Sequence, residues 1–442
     1  MALIVLIPVP VLGHLRPMCA LGAELVRRGH RVVMIHQVDV RAEAHNHGLE
    51  FIPVGLDSHG PGYLPRSVVE LSRYSGMALL RRTLKEIHSL TLMLAQALPR
   101  VVDRLAPDMI IGDQTEAAAG LIAEMMNVPL VSVACALPLD REPDLPAPFT
   151  GRQPGSGWLR RWRNRLGYAL QDHMLHPVHQ LVDDLRRKQR LSPLKAASDA
   201  WSQSLCLFQL IQSLDFPRRH LPESVRYVGP LRHPEPEWTN PLRHRVTPER
   251  AVWISFGSMQ GARLDRFAVI AQVVRSRGLL PFIAHGGMLD LDAVAHLESL
   301  GATVVAFAPQ RQALSHCRLA VTHAGLNTVL DAAACGVPML CLPIGFEQFG
   351  IAARVEHSGA GLVCQHPSKR ALETGLDRLL ADPSFHVAGM RLRADVLRSG
   401  GVQRAGNIIE DHLPALIKPD DESRLRDSDG INAPEELVHA LC

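Results

Sequence analysis

With 442 residues the chain is longer than one ordinary core accommodates, because domains of roughly 100 to 200 residues are the norm, so two domains are expected. Its 47 basic and 44 acidic residues leave a formal charge of +3, too little for the basic field that nucleic-acid binding needs, and any anion site must be local. The eight cysteines are scattered without a Cys-x-x-Cys pair, which argues against a zinc knuckle or a disulfide framework and for a reducing compartment, the cytoplasm. Residues 1–12 are apolar, but no basic residue precedes them and they run into Gly13-His14, so they read as a buried strand over 3–8 rather than a signal peptide. A helix over 17–28 follows, closed by Gly29, and then a strand over 31–36. Strands over 109–111 and 130–134 flank a helix containing 117–126. The apolar stretch 128–139 is broken by Pro129 and Pro138 and falls short of the ~20 residues that span a bilayer.

Around 229–250 the composition shifts to Pro, Arg, His and Glu, which reads as a linker at 231–250 behind a first domain over 1–230. Beyond it the alternation restarts with strands over 251–256, 280–284, 304–307, 319–322 and 339–342, giving a second domain over 251–412 with a C-terminal helix. The charged remainder, 413–442, is expected to fray. Two α/β halves of this kind, each a doubly wound parallel sheet, enclose a cleft, and their ligands sit at the carboxyl ends of the strands.

The sharpest local pattern is Thr322-His323-Ala324-Gly325-Leu326-Asn327-Thr328, between an apolar strand and a helix-like run over 329–335. A strand, a small-residue turn and a helix start present unpaired N–H groups and a favourable dipole to a phosphate. Each such contact contributes about 0.3 to 1 kcal/mol when exposed, so several must converge on a diphosphate. The plainer reading is that Asn327 or Thr328 caps the helix. Ser258, in Ser255-Phe256-Gly257-Ser258 after the first strand of the second half, lies in a second loop of this type. In the first half the corresponding loop is Val11-Leu12-Gly13-His14-Leu15-Arg16-Pro17, with Pro17 suited to the first turn of a helix. Asp290-Leu-Asp292 spells a metal-binding Asp-x-Asp but falls in a helix-like run, and no metal site is expected. No Gly-x-Gly-x-x-Gly follows the first strand, which disfavours a nicotinamide oxidoreductase.

The stretch from Phe307-Ala308-Pro309-Gln310 through His323 to Glu347-Gln348 resembles the donor-binding signature of the family 1 glycosyltransferases, which share the two-domain GT-B architecture and use nucleotide sugars. The resemblance implies that Phe307, Ala308 and Gln310 read the base, that His323, Gly325, Asn327 and Thr328 with Ser258 meet the diphosphate, that Asp331 holds the ribose, and that Glu347 and Gln348 bind sugar hydroxyls. It also implies that His14 is the base that deprotonates the acceptor, oriented by Asp113, and that neither a metal nor a cofactor is required. Plant members usually carry Trp at 307 and Glu at 331, and many carry Asp at 347, so the nucleotide and sugar preferences are open.

Longer segments, among them 57–62, 131–144, 214–218 with 228–231, and 258–261, resemble the bacterial zeaxanthin glucosyltransferases within that family. They imply glucose transfer from UDP-glucose to the ring hydroxyls of a carotenoid diol. A macrolide, flavonoid or sterol acceptor is the alternative on the same donor half, and a nucleotide-sugar-binding subunit without catalysis is the alternative of another class. Trp158, Trp162 and Leu166 recur every fourth residue among Arg160, Arg161, Arg163 and Arg165. This pattern suits peripheral contact with a bilayer as well as it suits a surface helix with two half-buried tryptophans.

Overall fold

The computed structural model describes residues 1–416 except 75, 195, 236, 237 and 239–249. Seven short strands build the first sheet: β1 (Leu3–Ile7), β2 (Arg31–His36), β3 (Glu50–Pro53), β4 (Met109–Asp113), β5 (Leu130–Ala134), β6 (Cys206–Phe208) and β7 (Val225–Tyr227). They lie in the order β3-β2-β1-β4-β5-β6-β7, all parallel, with Ile4 opposite both Val32 and Met109. The second sheet contains β8 (Ala251–Ser255), β9 (Leu280–Ala284), β10 (Thr303–Val305), β11 (Leu319–Thr322), β12 (Met339–Cys341) and β13 (Gly361–Val363), in the order β10-β9-β8-β11-β12-β13. Both orders reverse direction at the first strand of their half, and the crevice at such a switch point is where doubly wound sheets take ligands. Strands such as β1 and β8 are apolar on both faces because helices cover both sides of the sheet.

Each sheet has an apolar layer on either face, and one cluster joins the halves: Ala134, Leu137 and Phe208 of the first domain pack with Trp253, Ala332 and Ile351 of the second. A buried ionic group stands at the same junction. Arg354 donates to Asp215 Oδ1 at 2.7 Å, and Tyr227 and Arg218 donate to Asp215 Oδ2 at 2.7 and 3.3 Å. The helix Gly401–Leu416 follows the second domain in sequence yet packs on the first, with Ala405 and Ile409 in the core beneath β1 and Arg28 donating to Glu410.

Several element boundaries differ from expectation for identifiable reasons. The first helix spans Leu12–Arg27, so Gly13 and His14 occupy its first turn and Pro17 lies in its second, not its first. Proline has no N–H to return to the carbonyl four residues back, which leaves the Gly13 carbonyl free for another donor. The helix after β11 runs Leu326–Cys335 with Gly325 as its N-cap, so neither Asn327 nor Thr328 caps it. Part of the expected linker is anchored: Leu231 is buried in the first core, and the Glu235 carboxylate receives the Arg311 and Gln312 N–H groups at 3.0 and 3.1 Å. Residues 236, 237 and 239–249 lie outside the described residues, as does the part of the expected tail from 417 onward. Among the described residues no helix is long and apolar enough to cross a membrane.

Candidate active site

β1 and β4 are neighbours, so the first turn of the helix after β1 and the end of β4 meet at one sheet edge. There His14 Nδ1 and Asp113 Oδ2 are 2.8 Å apart, while the other carboxylate oxygen receives the Thr115 N–H and hydroxyl at 2.9 and 2.7 Å. An ionised carboxylate only accepts, so Nδ1 carries the proton and the Nε2 lone pair is left for another molecule. Burial pulls the His14 pKa down, but the Asp113 charge and hydrogen bond, with Glu347 behind them, outweigh it and hold it above the usual value. Burial of Asp113 acts to raise its pKa, and His14 and Thr115 together bring it below normal. Sequence reasoning missed Thr115, whose signal is only its place two residues past the strand end.

On the opposite wall the second domain contributes five loops. His323 follows β11 as a buried imidazole with Nδ1 3.5 Å from the Thr322 hydroxyl, and burial lowers its pKa to about 4. A neutral imidazole has one N–H, and beside it the donors open to an anion here are the first N–H groups of the helix Leu326–Cys335. The ring lies against two glycines. A Cβ on Gly257 would fall 2.9 Å from His323 Cε1, and one on Gly325 2.5 Å from Nε2. Ser258 follows Gly257, and this loop touches the one holding Gly286 and Gly287, where a Cβ on Gly286 would meet the Gly257 carbonyl oxygen and Ser258 Cα at 3.1 Å.

Phe307 stands just past β10 and is 58% exposed, an aromatic face with solvent in front of it, while Ala308 behind it packs on the core. Gln310 is linked to the donor helix, because its Nε2 donates to Asp331 Oδ2 at 2.7 Å and its Oε1 accepts from the Thr328 hydroxyl at 3.3 Å. The other Asp331 oxygen accepts from Arg232 Nε at 2.8 Å. Glu347 precedes the helix Gln348–His357 with no side-chain capping bond, and burial raises its pKa against the opposing pull of His14. Gln348 Oε1 receives the Ile344 and Gly345 N–H groups at 2.9 and 3.1 Å, which fixes the loop that presents Glu347. Ala324 and Phe346 adopt φ of +64° and +53°, left-handed conformations for which a side chain costs of order 1 kcal/mol or more, and each adjoins a residue of the site.

The two walls touch. Asn327 Nδ2 donates to the Gly13 carbonyl at 2.5 Å, the acceptor that Pro17 leaves free, and Asn327 Oδ1 accepts from Gln209 Nε2 at 3.2 Å. Gln209 also donates to the Cys135 carbonyl and accepts from Arg232 Nη1 at 3.3 Å, while Arg232 Nη2 donates to the Asn327 carbonyl at 3.2 Å. His14, Asp113, His323, Asn327, Glu347 and the donor helix therefore share one crevice. Arg232 and Gln209 were not among the expected residues. Arg232 lies in the stretch whose Pro, Arg, His and Glu content resembled a linker, and nothing local distinguishes a solvated arginine from a paired one. Asp290, by contrast, N-caps the helix Leu291–Ser299, its carboxylate accepting the Ala293 N–H at 2.9 Å.

Two expected outcomes concern the stability of the fold. Arg232→Ala leaves the Asp331 carboxylate buried without its cation, and removing one partner of a buried pair costs about 3 to 5 kcal/mol; denaturant unfolding should show a much smaller loss in Arg232→Met/Asp331→Asn. His36, whose pKa burial lowers to about 3, and His323 are neutral when folded and take up protons when unfolded. Their contribution is present above an ordinary histidine pKa of ~6.5 and is lost as pH falls toward the folded values. Between pH 7 and pH 5 each should therefore cost the fold about 2 kcal/mol, read in urea melts as a pH 5 penalty smaller by about that much in His36→Phe than in the wild type.

Comparison with known proteins gives the family. The sequence model of the family described as "UDP-glucoronosyl and UDP-glucosyl transferase" matches residues 6–395. Among characterised relatives, a zeaxanthin glucosyltransferase of Pantoea ananas is 34% identical over 404 residues, 91% of this chain and 94% of that protein. One of Pseudescherichia vulneris is 34% identical over 409 residues, 91% of this chain and 95% of its own length. Of solved structures, the glycotransferase of kitacinnamycin superposes with a TM-score of 0.72 at 21% identity over 93% of this chain and 99% of that one, and the calicheamicin glycosyltransferase with 0.69 at 22% over 95% and 100%. These likenesses show the GT-B fold, and with the relatives they identify the chain as a member of the family 1 UDP-glycosyltransferases, a hexosyltransferase.

Proposed function

We propose that this hexosyltransferase moves glucose from UDP-glucose onto a hydroxyl of a lipophilic acceptor, the ring hydroxyls of a carotenoid diol such as zeaxanthin, with inversion at the anomeric carbon and without a metal. The observation that carries the reading is the His14–Asp113 pair, which faces a helix N-terminus across a crevice that Asn327 and Gly13 bridge. His14 Nε2 takes the acceptor proton, the acceptor oxygen forms its bond to the anomeric carbon from the first-domain side, and the bond to the diphosphate breaks toward the N–H groups at the start of the helix Leu326–Cys335. Attack opposite the leaving group turns an α-linked donor into a β-glycoside. Phe307 supplies a stacking face for the base, and Asp331, oriented by Arg232 and Gln310, a carboxylate for the ribose. Glu347 and Gln348 lie on the sugar side, and Ser258 on the diphosphate side. The names of the Pantoea and Pseudescherichia relatives support the carotenoid acceptor. Such an acceptor resides in a bilayer, so the reading carries with it a cytoplasmic enzyme that works at a membrane surface. A subunit that only binds nucleotide sugar would have no use for an oriented imidazole in the crevice.

The test is product analysis of the purified chain with UDP-glucose and zeaxanthin in detergent plus a chelator, beside a panel of macrolide, flavonoid and sterol acceptors. The expected product is a carotenoid β-glucoside formed at the same rate with and without chelator. Dependence on a divalent cation, an α-linkage, or turnover on the panel without turnover on the carotenoid would each defeat the corresponding part of the proposal.

A further inference from the structure

The helix Trp158–Lys188 is docked inside out over its first half. The side chains it buries there are polar, Asn164 and Gln171, and Asn164 Nδ2 donates to the Pro143 carbonyl at 3.0 Å. Its large apolar side chains face outward: Trp158, Leu159, Trp162, Leu166 and Leu170 are 81, 57, 56, 50 and 50% exposed. Four of them recur every fourth residue and so share one side of the helix, the side that an amphipathic helix of a soluble domain turns toward the core. This rules out the half-buried tryptophans that a plain surface helix would have. The surrounding charge has one sign. Between Leu145 and Gln171 the chain has no acidic residue and five arginines, Arg152, Arg160, Arg161, Arg163 and Arg165. Arg161 pairs with Asp144 at 2.7 Å from outside that stretch, while Arg163 and Arg165 are exposed without a carboxylate partner among the described residues.

We infer that the first four turns of this helix, residues 158–170, are a docking surface for an anionic lipid bilayer. Tryptophans and leucines beside arginines are the composition that settles at the boundary of headgroups and acyl chains, where the apolar side chains leave water and the guanidinium groups meet phosphate. A second copy of the chain fits the patch less well. A two-fold contact lays a patch on itself, which would set these arginines against their own copies. The surface also adjoins the crevice. Gly167 packs against Ala147, the loop beyond it meets the helix Gln348–His357, and a Cβ on Gly151 would lie 3.3 Å from Phe349, next to Gln348. A bilayer beneath this helix thus lies close to the sugar end of the site. The docking stands on the helix itself and holds whatever the acceptor proves to be.

The experiment uses the full chain and vesicles of phosphatidylcholine alone or mixed with phosphatidylglycerol, with UDP binding measured by calorimetry as the control for folding. At low salt the wild type should pellet with the mixed vesicles, lose roughly tenfold in partitioning at ~0.5 M salt, and show tryptophan emission quenched by brominated acyl chains. Trp158→Ser/Trp162→Ser and Arg160→Glu/Arg163→Glu/Arg165→Glu should each bind UDP normally and partition at least about tenfold less. Failure of the wild type to pellet, absence of quenching, or a glutamate variant that pellets like the wild type overturns the inference. A self-associating species in sedimentation velocity that the tryptophan variant abolishes would overturn it in favour of a second copy.

Discussion

His14→Ala should lower kcat/KM by about 10²- to 10⁴-fold, roughly 3 to 5 kcal/mol of transition-state stabilisation, with UDP affinity unchanged. The separation is expected because His14 belongs to the first domain and touches Asp113, while the groups proposed to hold the nucleotide belong to the second. The pH profile gives a second handle with a definite sign. A base must be unprotonated, so activity falls as pH drops through the His14 pKa, which Asp113 and Glu347 hold above the usual 6.5 despite burial. Asp113→Asn removes the larger of these two attractions, moves the acid limb to lower pH, and frees the imidazole to take the wrong tautomer, so the rate on the plateau falls as well. A His14→Ala enzyme with normal turnover, or an acid limb that Asp113→Asn leaves in place, would show that the proton goes elsewhere.

Gly325→Ala should abolish useful donor binding while His14 and Asp113 remain in place. Gly325 has an ordinary φ of −65°, so the difficulty is space rather than backbone strain: its Cβ would lie 2.5 Å from His323 Nε2. The imidazole has little room, because Gly257 packs on the same Cε1–Nε2 edge, where an added Cβ would stand 2.9 Å away. Overpacking of this kind costs about 1 to 3 kcal/mol, and here it displaces the start of the helix proposed to hold the diphosphate, so UDP affinity should fall roughly 10- to 100-fold. The double variant Gly325→Ala/His323→Ala separates the two effects. Removing the ring should recover most of the stability lost by Gly325→Ala alone, measured by urea melts, because the steric conflict is then gone. If the two substitutions simply add in stability, the contact between ring and glycine is not what confines position 325.

Nine of the thirteen strands among the described residues were legible as apolar runs between turn residues, while β3, only half-buried, and the three-residue β6, β7 and β13 went unread. The boundaries of β2, β5, β9 and β11 coincide with the runs read from composition alone. His14 and the stretch from Phe307 to Gln348 were legible by resemblance, since a motif preserves residue types in order along the chain. What went unread depends on contacts between residues far apart in sequence. Arg232 resembled linker because an arginine outside a motif carries no local mark of its partner, and Asp331 lies 99 positions away. Gly401–Leu416 has an amphipathic pattern that demands a partner without naming it, and the partner is the opposite domain.

The sequence by itself determined the two parallel sheets, the order of the loops at their carboxyl ends and the chemistry-bearing residues those loops carry, because burial periodicity and short motifs are local properties. Only the tertiary structure decided which groups are already engaged: that Pro17 frees the Gly13 carbonyl for Asn327, that Arg232 holds Asp331, that His323 is buried neutral against Gly257 and Gly325, and that the helix beginning at Trp158 faces its apolar side outward. The physical reason is that a hydrogen bond or an exposed face is settled by distances between chain segments, and these exist only once both domains have closed on one another.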